Sequence, residues 1–437
     1  MSKVRLLIVV LCASLWAEGS YAQESYVLTL EQMFALADEN SKALKIEEAA
    51  VIEAQQGVKV AKNGYLPDID ISLSASYLGN GALMDRDFSD GQNIKMPHFG
   101  NNFAIQATQL IYGGGAVSNS VAMAKLSEEM AGVNREAARS RIRFMLTGFY
   151  LDLYKLHNAL AVYDRNIELA KVVIEDTKAR NAAGVALQND VTRYELQLKN
   201  LELARRRVEN SVEILNYDLV TMLGLPADTK IMSDTTLLER SLPMEGMAYW
   251  QQRAESNAHA IKQSALAVEM GEYGEKLARA ERRPSVALIA ANHFDGPITI
   301  EVPVINKNFN YWYVGVGVSF KLSSLYKANK SIKQAHYKTM LSRRRQEEVL
   351  EQTSLAAQAD YTKYLEAYDE VATLEKSVQL ANENYAVIEN RYRNDVALVT
   401  DMLDASNQLL DAELQLVNAR INVIFNYYKL KNTSGNL

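Results

Sequence analysis

The distribution of proline constrains the fold of this chain more than any other feature. All seven prolines lie at or before Pro303, and none falls between Pro97 and Pro226. Inside a helix, proline removes a backbone donor and clashes with the preceding turn. Long uninterrupted helices can therefore form in the two proline-free stretches, residues 98–225 and residues 304–437.

An apolar seam at alternating steps of four and three runs through the first of these stretches. It includes Ile142, Leu146, Phe149, Leu153, Leu156, Leu160, Tyr163 and Ile167. A period of 3.5 residues held over about four heptads is the signature of a coiled coil. A second seam starts at Val191, after a break at Gly184, and a matching seam starts at Met402.

The helical pattern predicts six helices. They cover residues 30–62, 115–180, 188–223, 244–282, 328–393 and 398–431. Residues 115–180 would span roughly 100 Å, and residues 30–62 and 188–223 placed end to end give about the same length. In each half of the chain, we therefore predict one long helix paired antiparallel with two shorter stacked helices.

Matching segments in the two halves of the chain indicate an internal duplication. Gly184–Asp190 aligns with Asp395–Asp401, and the same spacing separates Gly224 from Gly435. Internal similarity of this kind has to be recognised before the fold is assigned. We predict the following organisation: a signal peptide over 1–22, a first structural repeat over 23–226, a linker over 227–243 and a second structural repeat over 244–437.

Four segments alternate between apolar and polar residues, as half-buried strands do. They begin near Ile69, Phe103, Ser285 and Tyr311. Each is about ten residues long, which is the length that a tilted strand needs to cross a bilayer. Turn-rich loops over 79–101 and 295–310 separate the strands of each pair. Four strands cannot close a barrel, so we expect several copies to associate.

The fourth segment alternates most clearly. Its apolar positions are predicted to face lipid, and they are Val314, Val316, Val318 and Phe320. Between them, Gly317 is expected to face the lumen. An aromatic girdle is expected where such a strand meets the membrane interface, and the start of this segment supplies Tyr311, Trp312 and Tyr313.

The first 22 residues have the pattern of a secretory signal peptide. Lys3 and Arg5 precede an apolar run, and the small residues around Ala22 predict cleavage before Gln23. A retained membrane anchor is the alternative, but the run is shorter than the ~20 residues that a spanning helix needs. The only cysteine, Cys12, lies inside this segment, so thiol chemistry is not expected after cleavage.

Composition and motifs give no support for nucleic-acid binding or for an enzyme. The formal net charge is −6, which disfavours nucleic acid as a partner. No two of the five histidines are three or four residues apart, so no helical metal site is predicted. Gly113–Gly115 precedes a helix, but no phosphate-binding motif follows. We expect no enzymatic activity and no cofactor.

Together these segments resemble the TolC-like outer-membrane efflux proteins of Gram-negative bacteria. The resemblance rests on the duplicated order of helix, two strands, long helix, turn and helix, on Tyr65–Pro67, and on Asn390–Ala405 with its two aspartates one turn apart. It covers nearly the whole chain after residue 22. The fold that it implies is mainly α with a small β part: long antiparallel coiled-coil helices and four transmembrane strands per chain, which form a trimeric 12-stranded barrel and an α-helical periplasmic tunnel.

The resemblance also implies a function and partners. It implies the outer-membrane channel of a tripartite efflux or type I secretion system, which exports small molecules or polypeptides through a trimeric duct. The implied partners are two further copies of the chain, a periplasmic adaptor (membrane fusion) protein, an inner-membrane transporter of RND or ABC type, and outer-membrane lipid.

At the periplasmic tip, the resemblance assigns a gate. Asp401 and Asp404 would line the constriction, and three copies of each would form a ring of six carboxylates that favours cations. Asp190 is the first-half counterpart of Asp401. Tyr392 matches a tyrosine that helps to hold the tip shut.

One position departs from the family pattern. Ala397 stands where well-known members have an arginine, so the closing link must be absent or moved, and Arg393 and Arg193 are the nearby candidates. An alternative interpretation makes Asp401 and Asp404 ordinary helix-start residues, because acidic side chains interact favourably with the helix dipole there.

A second class of function stays open at this point. A periplasmic coiled-coil adaptor or scaffold without a pore would share the long helices. The alternating strands discriminate between the two, because an adaptor needs no apolar band flanked by aromatic residues.

Overall fold

A computed structural model gives the fold, and it describes residues 25–234, 237, 242–394 and 396–437. The predicted signal peptide and its cleavage site before Gln23 lie outside these residues. Within the described ranges, no helix combines the length and the apolar character that crossing a membrane requires. The described chain is mainly helical with a small β part, as predicted.

The helices follow the predicted pattern with two additional breaks. The described residues form α1 (Leu30–Asn40), α2 (Lys42–Lys62), α3 (Ala116–Ala182), α4 (Gln188–Leu223), α5 (Met247–Asn257), α6 (His259–Ala280), α7 (Ser324–Arg393) and α8 (Val399–Thr433). The backbone is extended at Ser41 and at Ala258, so the predicted helices over 30–62 and 244–282 are each two helices. At the first break, the Ser41 hydroxyl accepts from the Leu44 N–H at 3.4 Å and so caps α2.

All four predicted strands are confirmed, and four short strands accompany them among the described residues. The strands are β1 (Ser25–Leu28), β2 (Asp68–Tyr77), β3 (Gly81–Leu83), β4 (Gln92–Ile94), β5 (Phe99–Tyr112), β6 (Lys230–Ser233), β7 (Ser285–Gly296) and β8 (Phe309–Ser319). The antiparallel order β2-β5-β7-β8 forms one sheet, β3 and β4 form a small hairpin, and β1 pairs in parallel with β6.

The chain divides into two compact units. The first unit comprises the residues up to Ile46, Glu136–His259 and Glu351–Leu437, and the second comprises Glu47–Arg135 and Ala260–Leu350. The repeat boundaries predicted from the sequence follow chain order rather than this division, and they stay a prediction.

The largest apolar core of the first unit surrounds the β1–β6 pair. Its most deeply buried members include Leu30, Met33, Leu146, Leu153, Leu219 and Leu223. Tyr150 of α3 donates its hydroxyl hydrogen to the Leu28 carbonyl at 2.5 Å and accepts from the Asp234 N–H at 2.7 Å. One buried side chain therefore satisfies backbone groups at the ends of both strands.

A glycine in the left-handed conformation follows each of α4 and α8. Gly224 has φ 68° and Gly435 has φ 67°. The side chain of Asn40, which ends α1, donates to the Leu223 carbonyl beside Gly224 at 2.9 Å. Gly435 lies so close to Asn257, which ends α5, that a Cβ would stand 2.4 Å from the Asn257 carbonyl oxygen.

The register of the four-stranded sheet in the second unit gives it one apolar face. Ile71 lies opposite Ile105, Ala107 opposite Ala290, and Ala290 opposite Val314. Directly paired residues point to the same side of a sheet. The predicted apolar positions of the four strands therefore share one face, although Ile289 and Ala291 of β7 point to the other. The other face carries the polar residues of β2 and β5 together with glycines and aromatic residues of β8.

Candidate gate and candidate membrane strand

Four helix ends of the first unit meet in one apolar cluster. The ends of α3 and α7 and the starts of α4 and α8 contribute its buried members, which are Ile174, Tyr194, Tyr385, Tyr392, Val399, Met402, Ala405 and Leu409. Three tyrosines place hydroxyl groups within this otherwise apolar contact. All five residues predicted for the gate lie on these helix ends.

Tyr392 joins α7 to α3 within the cluster. Its hydroxyl lies 3.0 Å from Thr177 Oγ1, and its ring meets the Tyr194 ring edge-on, with centroids 6.4 Å apart. The Arg180 guanidinium lies over the Tyr392 ring, 5.1 Å from its centroid, which is a cation–π geometry. A hydrogen bond and a cation from α3 therefore both hold this side chain.

Burial raises the pKa of the two neighbouring tyrosines. It raises the pKa of Tyr385 to about 12, and Glu389 acts in the same direction. Burial also raises the pKa of Tyr194, with the Tyr392 hydroxyl as the next contribution. Neither phenol ionises near neutral pH, so these rings bring no negative charge to the Arg180 guanidinium.

Asp190 and Asp401 play the same local part at the starts of α4 and α8. The Leu187 N–H donates to Asp190 Oδ2 at 3.1 Å, and the Leu398 N–H donates to Asp401 Oδ2 at 3.0 Å. Each carboxylate thus satisfies a free backbone donor at a helix start. Asp404 is exposed and accepts from Gln408 Nε2 at 2.8 Å. In the single chain, Asp401 is therefore a helix-start residue whatever further role it has.

The arginine that contacts Tyr392 is not one of the two that the sequence suggested. Arg393 forms an ion pair with Glu389 of its own helix, 2.6 Å apart. Arg180 Nη1 instead donates to the Arg393 carbonyl at 3.4 Å while its guanidinium covers Tyr392. The internal duplication could have drawn attention to Arg180. It aligns Arg180, just before the first turn, with Arg391, just before the second turn.

The second candidate, Arg193, lines a cleft of about 540 Å³ between the two turns. Asp190 and Ala397 line the same cleft, and so does Arg180. The charged residues of its lining are two arginines and one carboxylate. The structure therefore places Arg193 in the same cleft as Ala397.

The predicted lipid-facing residues project from one side of β8. Val314, Val316 and Val318 are 61%, 65% and 70% exposed in the single chain, and strand alternation puts them on one face. Phe320 follows the end of the strand. Trp312 shares the face of the three valines and is exposed as well.

The predicted aromatic girdle divides between the two faces of the sheet. Tyr311 and Tyr313 alternate with Trp312, so they point away from the valine face. Both stack on His293 of β7, with centroids 5.1 Å and 6.2 Å from its ring. Clustering along the sequence therefore does not place the three rings in one band, because neighbouring strand residues face opposite sides.

A family of known proteins accounts for this architecture. The sequence model of the family described as "Outer membrane efflux protein" matches residues 34–225 and 250–436, which together are most of the chain. The chain belongs to this family. It is an outer-membrane efflux channel protein, and the predicted TolC-like resemblance is confirmed. Family membership also decides against the adaptor or scaffold without a pore.

Individual members are similar along nearly their whole length. "Outer membrane efflux protein BepC" of Brucella suis biovar 1 (strain 1330) is 22% identical over 413 residues, which are 94% of this chain and 86% of that protein. "Outer membrane protein TolC" of Escherichia coli (strain K12) is 20% identical in an alignment of 448 positions, gaps included, that covers 99% of this chain and 87% of that protein. The solved structure of VceC from Vibrio cholerae superimposes with a TM-score of 0.76 at 16% identity, covering 93% of this chain and 96% of VceC.

Proposed function

We propose that three copies of this outer-membrane efflux protein form one duct, with a 12-stranded barrel in the membrane and an α-helical tunnel in the periplasm. The observation that carries the proposal is the sheet β2-β5-β7-β8, which has two free edges and an exposed apolar face. Pairing β8 of one copy with β2 of the next removes both edges.

The membrane assignment follows from the same sheet. Val314, Val316, Val318 and Phe320 face lipid in this proposal, and Trp312 is the β8 member of the interfacial girdle. Tyr311 and Tyr313 are assigned to the lumen. Residues 1–22 act as a signal peptide, and the two repeats over 23–226 and 244–437, joined by the linker 227–243, each supply two strands of the sheet.

We assign the gate to the helix ends of the first unit. Asp401 and Asp404 supply the carboxylates that select cations, and Asp190 supports the matching turn. Tyr392 and Arg393 fix the end of α7. Arg180, on α3, supplies the cation that the family pattern has at the position of Ala397. The observations that support this assignment are the shared cluster and the paired capping of the two turns.

The duct works with other proteins and without chemistry of its own. Its partners are a periplasmic adaptor and an inner-membrane transporter of RND or ABC type, and its cargo is small molecules or polypeptides. Among the described residues, no cluster of His, Cys, Asp and Glu has metal-binding geometry. We propose that the protein is a conduit and not an enzyme.

The test is ion conduction by the purified protein in a planar bilayer. We expect trimers that conduct, prefer cations and are blocked by a trivalent cation such as hexamminecobalt from the periplasmic side. Asp401→Ala with Asp404→Ala should abolish the block and weaken cation selectivity while trimers still assemble.

Two outcomes separate the parts of this proposal. A protein that stays monomeric or never conducts contradicts the duct. Conducting trimers whose double variant keeps normal selectivity and block contradict the gate alone, and the aspartates are then only helix-start residues. Asp411→Ala is the matched control, because Asp411 bonds to Gln415 in the same helix, as Asp404 does to Gln408.

A further inference from the structure

Four aromatic rings stack along the β7–β8 hairpin. We call Phe309, Tyr311, His293 and Tyr313 the aromatic ladder. Successive centroids are 5.3, 5.1 and 6.2 Å apart, and the interplanar angles are 26°, 11° and 8°. Separations of this size are those of interacting aromatic pairs. The ladder is therefore one ordered array of nearly parallel rings.

The ladder lies on the face of the sheet opposite the valines and does not belong to a core. Phe309, Tyr311 and Tyr313 are 54%, 38% and 45% exposed. In the proposed trimer this is the lumen face, whereas Trp312, between two ladder residues, points to lipid. Solute passing through the barrel would meet these rings.

Tyr313 has open space beside it. Gly315 is the next residue on the same face of β8, and a Cβ built on it meets no atom within 4 Å. Among the ring contacts of the described residues, Tyr313 stacks on His293 alone. The structure therefore leaves room for one more flat ring at the Gly315 end of the ladder.

The charge of this face favours a cation. Every carboxylate in the four long strands lies on it: Asp68, Asp70 and Asp295. Asp295 lies opposite Phe309 of the ladder, whereas Asp68 and Asp70 lie on β2, at the opposite edge of the sheet from β8, and come beside β8 only where β2 of the next copy pairs with it in the proposed trimer. The four strands contain no lysine or arginine, and the nearest basic residues lie beyond the strand ends.

We propose that the ladder and the Gly315 gap form a binding site for planar aromatic cations inside the barrel. A flat cation stacks on Tyr313 over Gly315, and the carboxylates supply the counter-charge. The site rests on the proposed function only for its place in the lumen. It would act as a transient binding site for flat cationic cargo that passes through the barrel.

Equilibrium dialysis of ethidium against the purified full-length protein in detergent tests the site without needing conduction. Tyr313→Leu should weaken binding about tenfold, because it removes the ring that stacks. Gly315→Val should do the same by filling the gap, although it leaves every ladder ring in place. Trp312→Leu is the matched control, since it removes an even more exposed ring (74% against 45% for Tyr313) from the opposite face, and ethidium binding by this variant should be unchanged.

Two further ligands provide a second test of the site. Tetrapropylammonium, which is not flat, and naphthalenesulfonate, which is an anion, should both bind weakly and equally to all variants. The proposal is overturned if Tyr313→Leu and Gly315→Val bind ethidium as the unmodified protein does, or if Trp312→Leu weakens binding as much as they do. Loss of conduction with these binding differences intact would count against the duct and leave the site standing.

Discussion

Asp38, in α1, shows how a single residue fixes two helices together. Its Oδ2 accepts from Arg139 Nε at 3.0 Å and from Arg143 Nη2 at 2.6 Å, and both arginines belong to α3. Burial acts to raise the pKa of Asp38, but the hydrogen bonds from the two arginines outweigh it and hold the pKa below its ordinary value of 3.8. Folding therefore stabilises the ionised form of the Asp38 carboxylate relative to its protonated form.

Asp38→Asn should lower the free energy of unfolding of the first unit by roughly 1 kcal/mol at neutral pH. This is the contribution expected of a hydrogen bond to a charged group, reduced because the site is partly exposed to solvent. Because the folded pKa lies below the unfolded one, this stability is present above pH about 4 and is lost as the pH falls through the folded value. Urea unfolding followed by circular dichroism should show the difference in stability between Asp38→Asn and the unmodified protein closing as the pH falls below about 4.

The matched control for this prediction is Glu136→Gln. Glu136 lies 3.8 Å from Arg139 and is well exposed, so its removal should change stability little at any pH. A gap for Asp38→Asn that stays constant with pH would contradict the assignment of its effect to the ionised carboxylate.

The gate residues show what sequence could predict at this scale. The helical pattern predicts helix ends near Asp190, Asp401 and Tyr392, and the structure has them there, whereas their assignment to a gate comes from the family resemblance. Arg180 was missed, because a cation over a ring depends on how α3 meets α7, and no periodicity within one helix reports that contact. Whether the aspartates select cations stays a prediction.

At the scale of the elements, the glycines that follow α4 and α8 share a backbone conformation but differ in what surrounds them. Both Gly224 and Gly435 have positive φ, a conformation that costs alanine about 1 kcal/mol. Beside Gly224, a new Cβ would meet the Asn40 side chain at 2.9 Å, whereas beside Gly435 it would meet the Asn257 backbone at 2.4 Å. The nearest atom beside Gly224 is the Asn40 Cβ, which no change of rotamer moves, but the overlap is smaller there than at Gly435, where three backbone atoms lie within 2.9 Å and α5 would have to shift.

Gly435→Ala should therefore lower the apparent melting temperature in detergent more than Gly224→Ala does. We expect about 1 kcal/mol for Gly224→Ala and at least about 2 kcal/mol for Gly435→Ala. Gly57→Ala, in α2 with open space around it, should be neutral or stabilising, since alanine is the better helix former. Equal losses at 224 and 435 would contradict the part assigned to the Asn257 backbone.

Long elements were predictable and short ones were not. Helices of 67 and 70 residues and strands of ten or more carry many periods of their pattern. The β1–β6 pair has four residues on each side and lies partly in the segment that was taken as a linker. Its existence depends on the core around Tyr150, a contact between distant parts of the chain.

At the scale of the whole molecule, the two faces of β8 should respond oppositely to polar substitutions. Val316→Arg puts a charge on the proposed lipid face and should cost roughly 2–4 kcal/mol near the bilayer midplane. Gly317→Ser should be mild, because a new Cβ meets only the flexible end of Ile289, at 3.2 Å. The heat resistance of trimers extracted from the outer membrane measures both, and equal tolerance would show that β8 does not face lipid.

The parallel pairing of β1 with β6 also sets an order of events during export. Within the part of the chain that the structure describes, Ser25–Leu28 pairs with Lys230–Ser233 alone. A chain that crosses the inner membrane from its N-terminus delivers β1 long before β6 emerges. Until then the leading segment has no partner and must be kept from pairing with other chains. The apolar core around this pair also contains Ile421, Ile424 and Tyr428 of α8, so it can be complete only once nearly the whole polypeptide has been translocated.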